Sequence, residues 1–273
     1  MDRLFVVNKA INQGSNFYLR KIKRKYKVKK AGFSGTLDPF ACGCLIVAFG
    51  KYTRLFQFLH KSPKTYRTTI WLDAISDSFD IENMIEININ NEKLIEQNIK
   101  NELDNLIGKI EYLPPKYSAK KINGKRAYEM ARNNIDCEMK KVISEIYDVK
   151  FINYNHPFIS FDIKVSEGSY IRSIAQILLK RLNKVGTLSY LERLNEGKFF
   201  FDNEKALNPL EYLNLEQIKY TGSKEWIKLG KKIQAEYLEH DKIGIYIIKF
   251  DEFFSIIEIK EDKISYLINQ ILI

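Results

Sequence analysis

The stretch Gly32-Phe33-Ser34-Gly35-Thr36-Leu37-Asp38-Pro39 brackets one carboxylate with two glycines and closes on a proline. Glycine lets a backbone come close to a ligand or adopt positive φ. Proline directly after the acid fixes φ and stiffens the segment that carries it. A carboxylate held on such a loop can serve as a nucleophile or as a general base. Its setting adds weight to that reading. Asp38 and Asp2 are the only acids in the first 70 residues, against 15 Lys and Arg. The rest of the chain holds 29 basic and 32 acidic residues, so the excess positive charge of +10 gathers around the Asp38 loop. That is the footprint of a protein that holds a polyanion near the loop.

The other chemistry-bearing residues are fewer. Cys42 and Cys44 are too close for an easy disulfide, Cys137 stands apart, and C-x-C without nearby Cys or His ligands is a poor zinc pattern. Free thiols fit a reducing compartment, so a cytoplasmic protein is expected. No apolar run approaches the ~20 residues of a membrane helix, and no signal-peptide apolar stretch is evident at the N-terminus. A length of 273 residues with 45% apolar and 13% aromatic content is enough for one large domain plus a small appendage.

These residues need elements to position them. Residues 3–7 read as a strand, and Ser15 or Asn16 as the cap of a helix reaching about Tyr26. Phe17, Leu19, Ile22 and Tyr26 form its apolar side, and Arg20, Lys21, Lys23, Arg24 and Lys25 its other faces. Leu45 to Phe49 reads as a buried strand, Thr53 to Leu59 as a short helix, and 67–73 as a strand. Leu94, Ile95, Ile99, Leu103, Leu106, Ile107 and Ile110 recur at helical spacing, which predicts one outer helix ended by Pro114-Pro115. Asn123-Gly124 marks a hairpin turn in a Lys- and Tyr-rich segment suited to RNA backbone and base stacking. Residues 142–153 and 157–166 alternate as strands, and a helix runs from the Gly168 turn to about Leu182. Beyond Phe201 the pattern thins, with two short strand-like runs at 243–249 and 253–259. The expectation is an α+β fold, a mixed and mainly antiparallel sheet flanked by helices. A catalytic domain over 1–220 would be followed by a small, mostly β module over 221–273.

Four motifs in order carry a resemblance. They are G-x-S-G-T-L-D-P at 32–39, K-x-Y-R at 64–67, Y-S-A-x-K-x-x-G-K at 117–125 and G-S-Y-I-R at 168–172. Over roughly residues 3–200 the chain resembles the TruB family of tRNA pseudouridine synthases. The resemblance implies isomerisation of uridine to pseudouridine at position 55 in the T-arm loop of tRNA. It implies no cofactor and no metal; the chain is expected to act on tRNA alone, as a monomer, with no membrane and no obligatory protein partner. It implies a catalytic role for Asp38, for Tyr66, which would stack on the base and assist removal of the C5 proton, and for Arg172, which would hold the Asp38 carboxyl ionised. Lys9, Tyr170 and Leu191 match substrate-binding positions. Whether Asp38 attacks the ribose or base, or deprotonates the ribose, stays open.

The chain departs from the family pattern at Asn8-Lys9-Ala10, where the family usually has Asp-Lys-Pro, and at Phe33, where it usually has His. A ring that neither titrates nor donates points to a stacking role for Phe33 in substrate binding. The family commonly ends in a PUA domain, and 225–273 resembles a short one. Two other readings fit the same motifs: a non-catalytic tRNA-binding or folding protein, and a synthase with another RNA target.

Overall fold

The computed structural model describes every residue except 89–91, 119, 123, 134 and 136–138. Of the residues singled out above, Ala119, Asn123 and Cys137 therefore lie outside the described residues. In chain order the first elements are β1 (Arg3–Lys9), α1 (Ser15–Lys25), β2 (Ala31–Ser34), β3 (Cys42–Phe49), β4 (Lys64–Leu72), β5 (Ala74–Ser76) and β6 (Met84–Ile87). They are followed by α2 (Glu96–Asp104), β7 (Gly108–Tyr112), β8 (Lys121–Ile122), β9 (Lys125–Arg126), α3 (Ala127–Arg132), β10 (Val142–Asn155), β11 (Phe158–Val165) and α4 (Ile171–Arg181). The chain ends with β12 (Gly186–Glu196), β13 (Phe199–Phe200), β14 (Glu216–Gln217), α5 (Lys224–Lys228), β15 (Gly244–Lys249), β16 (Phe253–Lys260) and β17 (Lys263–Leu272).

The main sheet runs β1-β3-β12-β4-β11-β10-β7, with β2 added on β3 and β13 on β12. Its pairings are antiparallel apart from the short parallel contact of β12 with β3, where Glu192 and Arg193 face Cys42 and Gly43. That contact explains Gly43. Its φ is +101°, and a β-carbon there would lie 2.3 Å from the Arg193 carbonyl oxygen. One face of the sheet carries Ile70, Phe161, Ile163 and Leu188 against Ile174, Leu178 and Leu179 of α4 and Ile99 and Leu103 of α2. Beside it, Phe5, Val7, Leu45 and Val47 pack under Ile22 of α1.

Most of the expected elements lie where periodicity placed them. The long outer helix does not. The helix ends at Asp104, Gly108 takes φ +112°, and Ile110 belongs to β7, the edge strand that pairs with β10. Leu106, Ile110 and Tyr112 lie at even spacing, so this segment fits a strand as well as a helix, and the sheet edge decides between them. The C-terminal region is more regular than its sequence suggested. It forms a four-stranded sheet, β14-β15-β16-β17, which includes the unforeseen ten-residue β17. Phe254, Ile256, Ile268 and Ile271 of this sheet share a hydrophobic cluster with Leu4, Val6 and Ile46 of the main sheet.

Candidate active site

Asp38 sits on a loop that is pinned from both sides. The Ser15 hydroxyl donates to the Leu37 carbonyl at 2.9 Å and accepts from the Leu37 N–H at 3.0 Å. This is where the expected helix cap goes: Gly14 is the N-cap of α1, with no side-chain cap bond, and Ser15 is turned to the loop. On the other side, the Lys9 ammonium donates to the carbonyls of Gln13, Ala10 and Pro39 at 2.6, 3.0 and 3.3 Å. Lys9 was expected among the substrate-binding residues. It is fully buried, and its ammonium faces the carbonyls of the loop. Burial lowers its pKa to about 8, with the neighbouring Cys42 and Asp38 pulling the other way.

Arg172, in the first turn of α4, is the hub of the site. A cation at a helix N-terminus opposes the helix dipole, and a buried one needs compensating charge. Arg172 finds two carboxylates. One guanidinium nitrogen meets Asp38 at 2.9 Å, and the other meets Asp80 at 2.9 Å. The same two nitrogens donate to the carbonyls of Ser78 and Tyr117, both at 2.8 Å. Asp80 is itself buried and accepts from the Ser78 hydroxyl at 2.6 Å and the Glu82 N–H at 3.0 Å. Sequence reading missed Asp80. It lies in an acidic stretch with no motif around it, and only its contact with Arg172 distinguishes it from its neighbours.

The sharing of one guanidinium changes the expected electrostatics. Arg172 does not hold the Asp38 carboxyl below the ordinary range. The protein packed around Asp38 strips it of most of its water and raises its pKa. Arg172 opposes that, Asp80 adds to the rise, and Lys9 opposes it more weakly. The carboxyl still keeps an open edge toward the cavities, as 31% of the side chain remains exposed. A raised carboxyl is a better general base near neutral pH, provided it is still ionised there.

Two cavities meet at this pair. The first, about 350 Å³, is lined by Asp38, Tyr66, Tyr170, Leu191 and Arg172, with Lys64 and Arg193 at one side. The second, about 290 Å³, is lined by Asp38, Arg172 and Asp80 and continues to Phe33, Asn16 and Tyr128. The structure therefore brings Asp38, Tyr66, Arg172, Tyr170 and Leu191 into one cavity and puts Phe33 in the adjoining one. Tyr66 on β4 is directly opposite Arg193 on β12, and its hydroxyl is close enough to the guanidinium to interact with it electrostatically. Arg193 also reaches the Gly35 carbonyl at 2.9 Å, and it shares the buried Glu196 with Lys64 at 2.8 and 2.9 Å. Gly35, at φ +68°, is packed so closely on this triad that a β-carbon would stand 3.0 Å from the Glu196 carboxylate. Burial raises the Tyr170 pKa, so this phenol stays neutral. Burial also raises the Cys42 thiol, and it pushes the Cys44 thiol up to about 12, so neither is a thiolate nucleophile. Among the described residues no cluster of metal-ligating side chains occurs, and no helix is long and apolar enough to cross a membrane.

Phe33 does two things at once. It packs on the cluster of Phe5, Val7, Ile22 and Val47, and it lines the second cavity beside Asp38. Phe33→Ala is expected to weaken RNA engagement by about 1–3 kcal/mol, the range for loss of a stacked base. Phe33→His is expected to stay close to the parent protein. Melting temperature and single-turnover rate on the same Phe33→Ala sample separate stacking from packing. A lower melting temperature with an unaltered rate refutes the stacking role.

A carboxylate held by a buried guanidinium at the junction of two cavities, on a mixed sheet in a cation-rich half of the chain, has the chemistry for nucleophilic or general-base work beside an anionic ligand. Residues 23–171 match the TruB family pseudouridylate synthase N-terminal domain. The chain is 50% identical over 271 residues to tRNA pseudouridine synthase B of a Sulfurovum species, covering 99% of this chain and 98% of that protein. It is 51% identical over 271 residues, with the same coverage, to the protein of that name from a Nitratiruptor species. The chain belongs to the TruB family of pseudouridylate synthases, which are isomerases. Among solved structures, a Cbf5-Nop10-Gar1 complex contains a chain of the same fold, with TM-score 0.66, 17% identity and coverage of 99% of this chain and 84% of that one.

Proposed function

We propose that the protein converts uridine 55 in the T-arm loop of tRNA to pseudouridine, with Asp38 as the catalytic carboxylate and without cofactor, metal or obligatory protein partner. The observation that carries this reading is the full-length similarity, near 50% identity, to proteins named tRNA pseudouridine synthase B. The site supports it chemically. The reaction breaks the C1′–N1 bond, turns the base and forms a C1′–C5 bond; C5 loses a proton and N1 gains one, so no electrons enter or leave. One carboxylate suffices, either as a nucleophile or as a base at the ribose. Asp38 is the carboxylate that lines both cavities and is tied to Arg172 at 2.9 Å. Tyr66 and Tyr170 offer aromatic faces and Leu191 an apolar one to a base in the first cavity.

A uridine in a folded loop must leave its stack before it can reach Asp38, at a cost of a few kcal/mol. Loop shape then selects the substrate more than base sequence does. A purely RNA-binding role fits the site less well, because an acid beside a polyanion path lowers affinity. In this reading the chain works as a monomer, with residues 1–220 as the catalytic unit and 221–273 as a short PUA-like module. Mapping pseudouridine in tRNA from cells lacking the protein tests the assignment. Position 55 is expected to revert to uridine and to be restored by the parent gene. Retention of pseudouridine at 55 would overturn the position, and loss at another RNA would identify the true target.

A further inference from the structure

Between Ser15 and Lys30 the chain carries eight cations and no acid. Of the five within α1, Lys25 is ion-paired, to Glu204 at 2.6 Å. Arg20, Lys23 and Arg24 recur at three- and four-residue spacing, so they lie on one side of the helix, and Lys27, just past its end, lines the same groove as they do. Asn16 shares that side, and Asn16 lines the cavity that holds Asp38. With a rise of about 1.5 Å per residue, the helical part of the stripe runs roughly 12 Å from the cavity wall at Asn16 to Arg24.

The far end of the stripe is shaped. Arg20, Lys23, Arg24, Lys27 and Lys29 line a surface groove of about 380 Å³, together with Val28. The chain turns back into this groove through a Schellman-type end, with the Val28 N–H on the Lys23 carbonyl at 3.1 Å. Lys27 takes φ +52° there, a left-handed position where glycine is the usual residue. Among the described residues, no acid pairs with any of the five groove cations. The pair Arg20/Arg24 repels at i,i+4 and opposes the helix. Nearer the cavity, the exposed ring of Phe17 is flanked by Arg20 and Lys21 at 5.5 and 5.0 Å from its centroid.

We propose that this stripe and groove form a phosphate-binding track for the RNA backbone that flanks the nucleotide entering the cavity. The proposal rests on the RNA substrate assigned above and goes beyond it by naming a contact surface that runs along α1 away from the cavity wall at Asn16. Each phosphate neutralised there releases counterions, so the track makes binding depend on salt.

The test compares the parent with the triple variant Lys23→Ala, Arg24→Ala, Lys27→Ala and with a control, Lys109→Ala, Lys180→Ala, Lys263→Ala, which removes equal charge elsewhere. The dissociation constant for full-length tRNA is measured against potassium chloride concentration, and the turnover rate is measured at saturating tRNA. The track variant is expected to flatten the slope of log K against log salt by about 2–3, at roughly 0.7–0.9 per lost phosphate contact. Its saturated turnover should match the parent's, and the control slope should stay near the parent's. An unchanged slope, or equal flattening in both triple variants, overturns the track while leaving the substrate assignment intact. A parent protein that neither binds nor modifies tRNA overturns both.

Discussion

Asp38→Asn abolishes pseudouridine formation and leaves tRNA binding intact or tighter: that is the expected result with the largest effect. The amide keeps the size of the carboxyl but can be neither nucleophile nor base. The loss in turnover should reach or exceed the upper end of the roughly 10²–10⁴-fold range of a single acid–base group. Binding is spared because the substitution removes a negative charge from a surface that meets phosphate. The parent enzyme should show the complementary pH dependence. The proposed reaction needs ionised Asp38, and burial together with Asp80 raises its pKa. Turnover should therefore fall, as pH is lowered, at a pH above the value of about 3.9 at which an ordinary Asp titrates. Measurable pseudouridine from a clean Asp38→Asn preparation sinks the assignment of Asp38. An acid limb at or below the ordinary value shows that Arg172 outweighs burial.

Arg172→Lys is the second. A conservative charge swap is expected to cost about 10²-fold or more in turnover, the scale for misplacing a reacting group by about 1 Å. Four hydrogen-bonding directions leave the guanidinium: to Asp38, to Asp80 and to the carbonyls of Ser78 and Tyr117. A lysine ammonium has three hydrogens on one nitrogen and cannot span two carboxylates set on different loops. Either Asp80 is left buried without its partner or Asp38 is released. Asp80→Asn should therefore impair turnover in the same direction, and the double variant should lose less than the sum of the two, because both act through one network. Near-parental kinetics for Arg172→Lys, with folding confirmed by an unchanged melting profile, would show that the two-carboxylate bridge does not tune Asp38. Additive losses in the double variant would show that Asp80 acts separately from Arg172.

The chain's linear pattern carried the Asp38 loop, the order of the four motifs and the concentration of positive charge. Those are local properties: residue type, spacing within about ten positions, and the glycines and proline that shape a loop. It also carried most strands and both long helices, because alternation and helical spacing were unambiguous at Lys64–Leu72 and Ile171–Arg181. Three matters were decided only by tertiary structure. The stretch after Asp104 satisfied both helical and strand periods, and pairing with β10 made Gly108–Tyr112 an edge strand. Lys9 matches a substrate-binding position by sequence, and the fold buries it under the Asp38 loop, where its ammonium donates to three carbonyls. Asp80 is far from Asp38 in the chain and looks like any acid of its stretch, but a guanidinium long enough to reach both makes them one electrostatic unit. Charge sharing between side chains far apart in sequence has no linear signature, since it depends on which surfaces the packing of α4 against the sheet brings together.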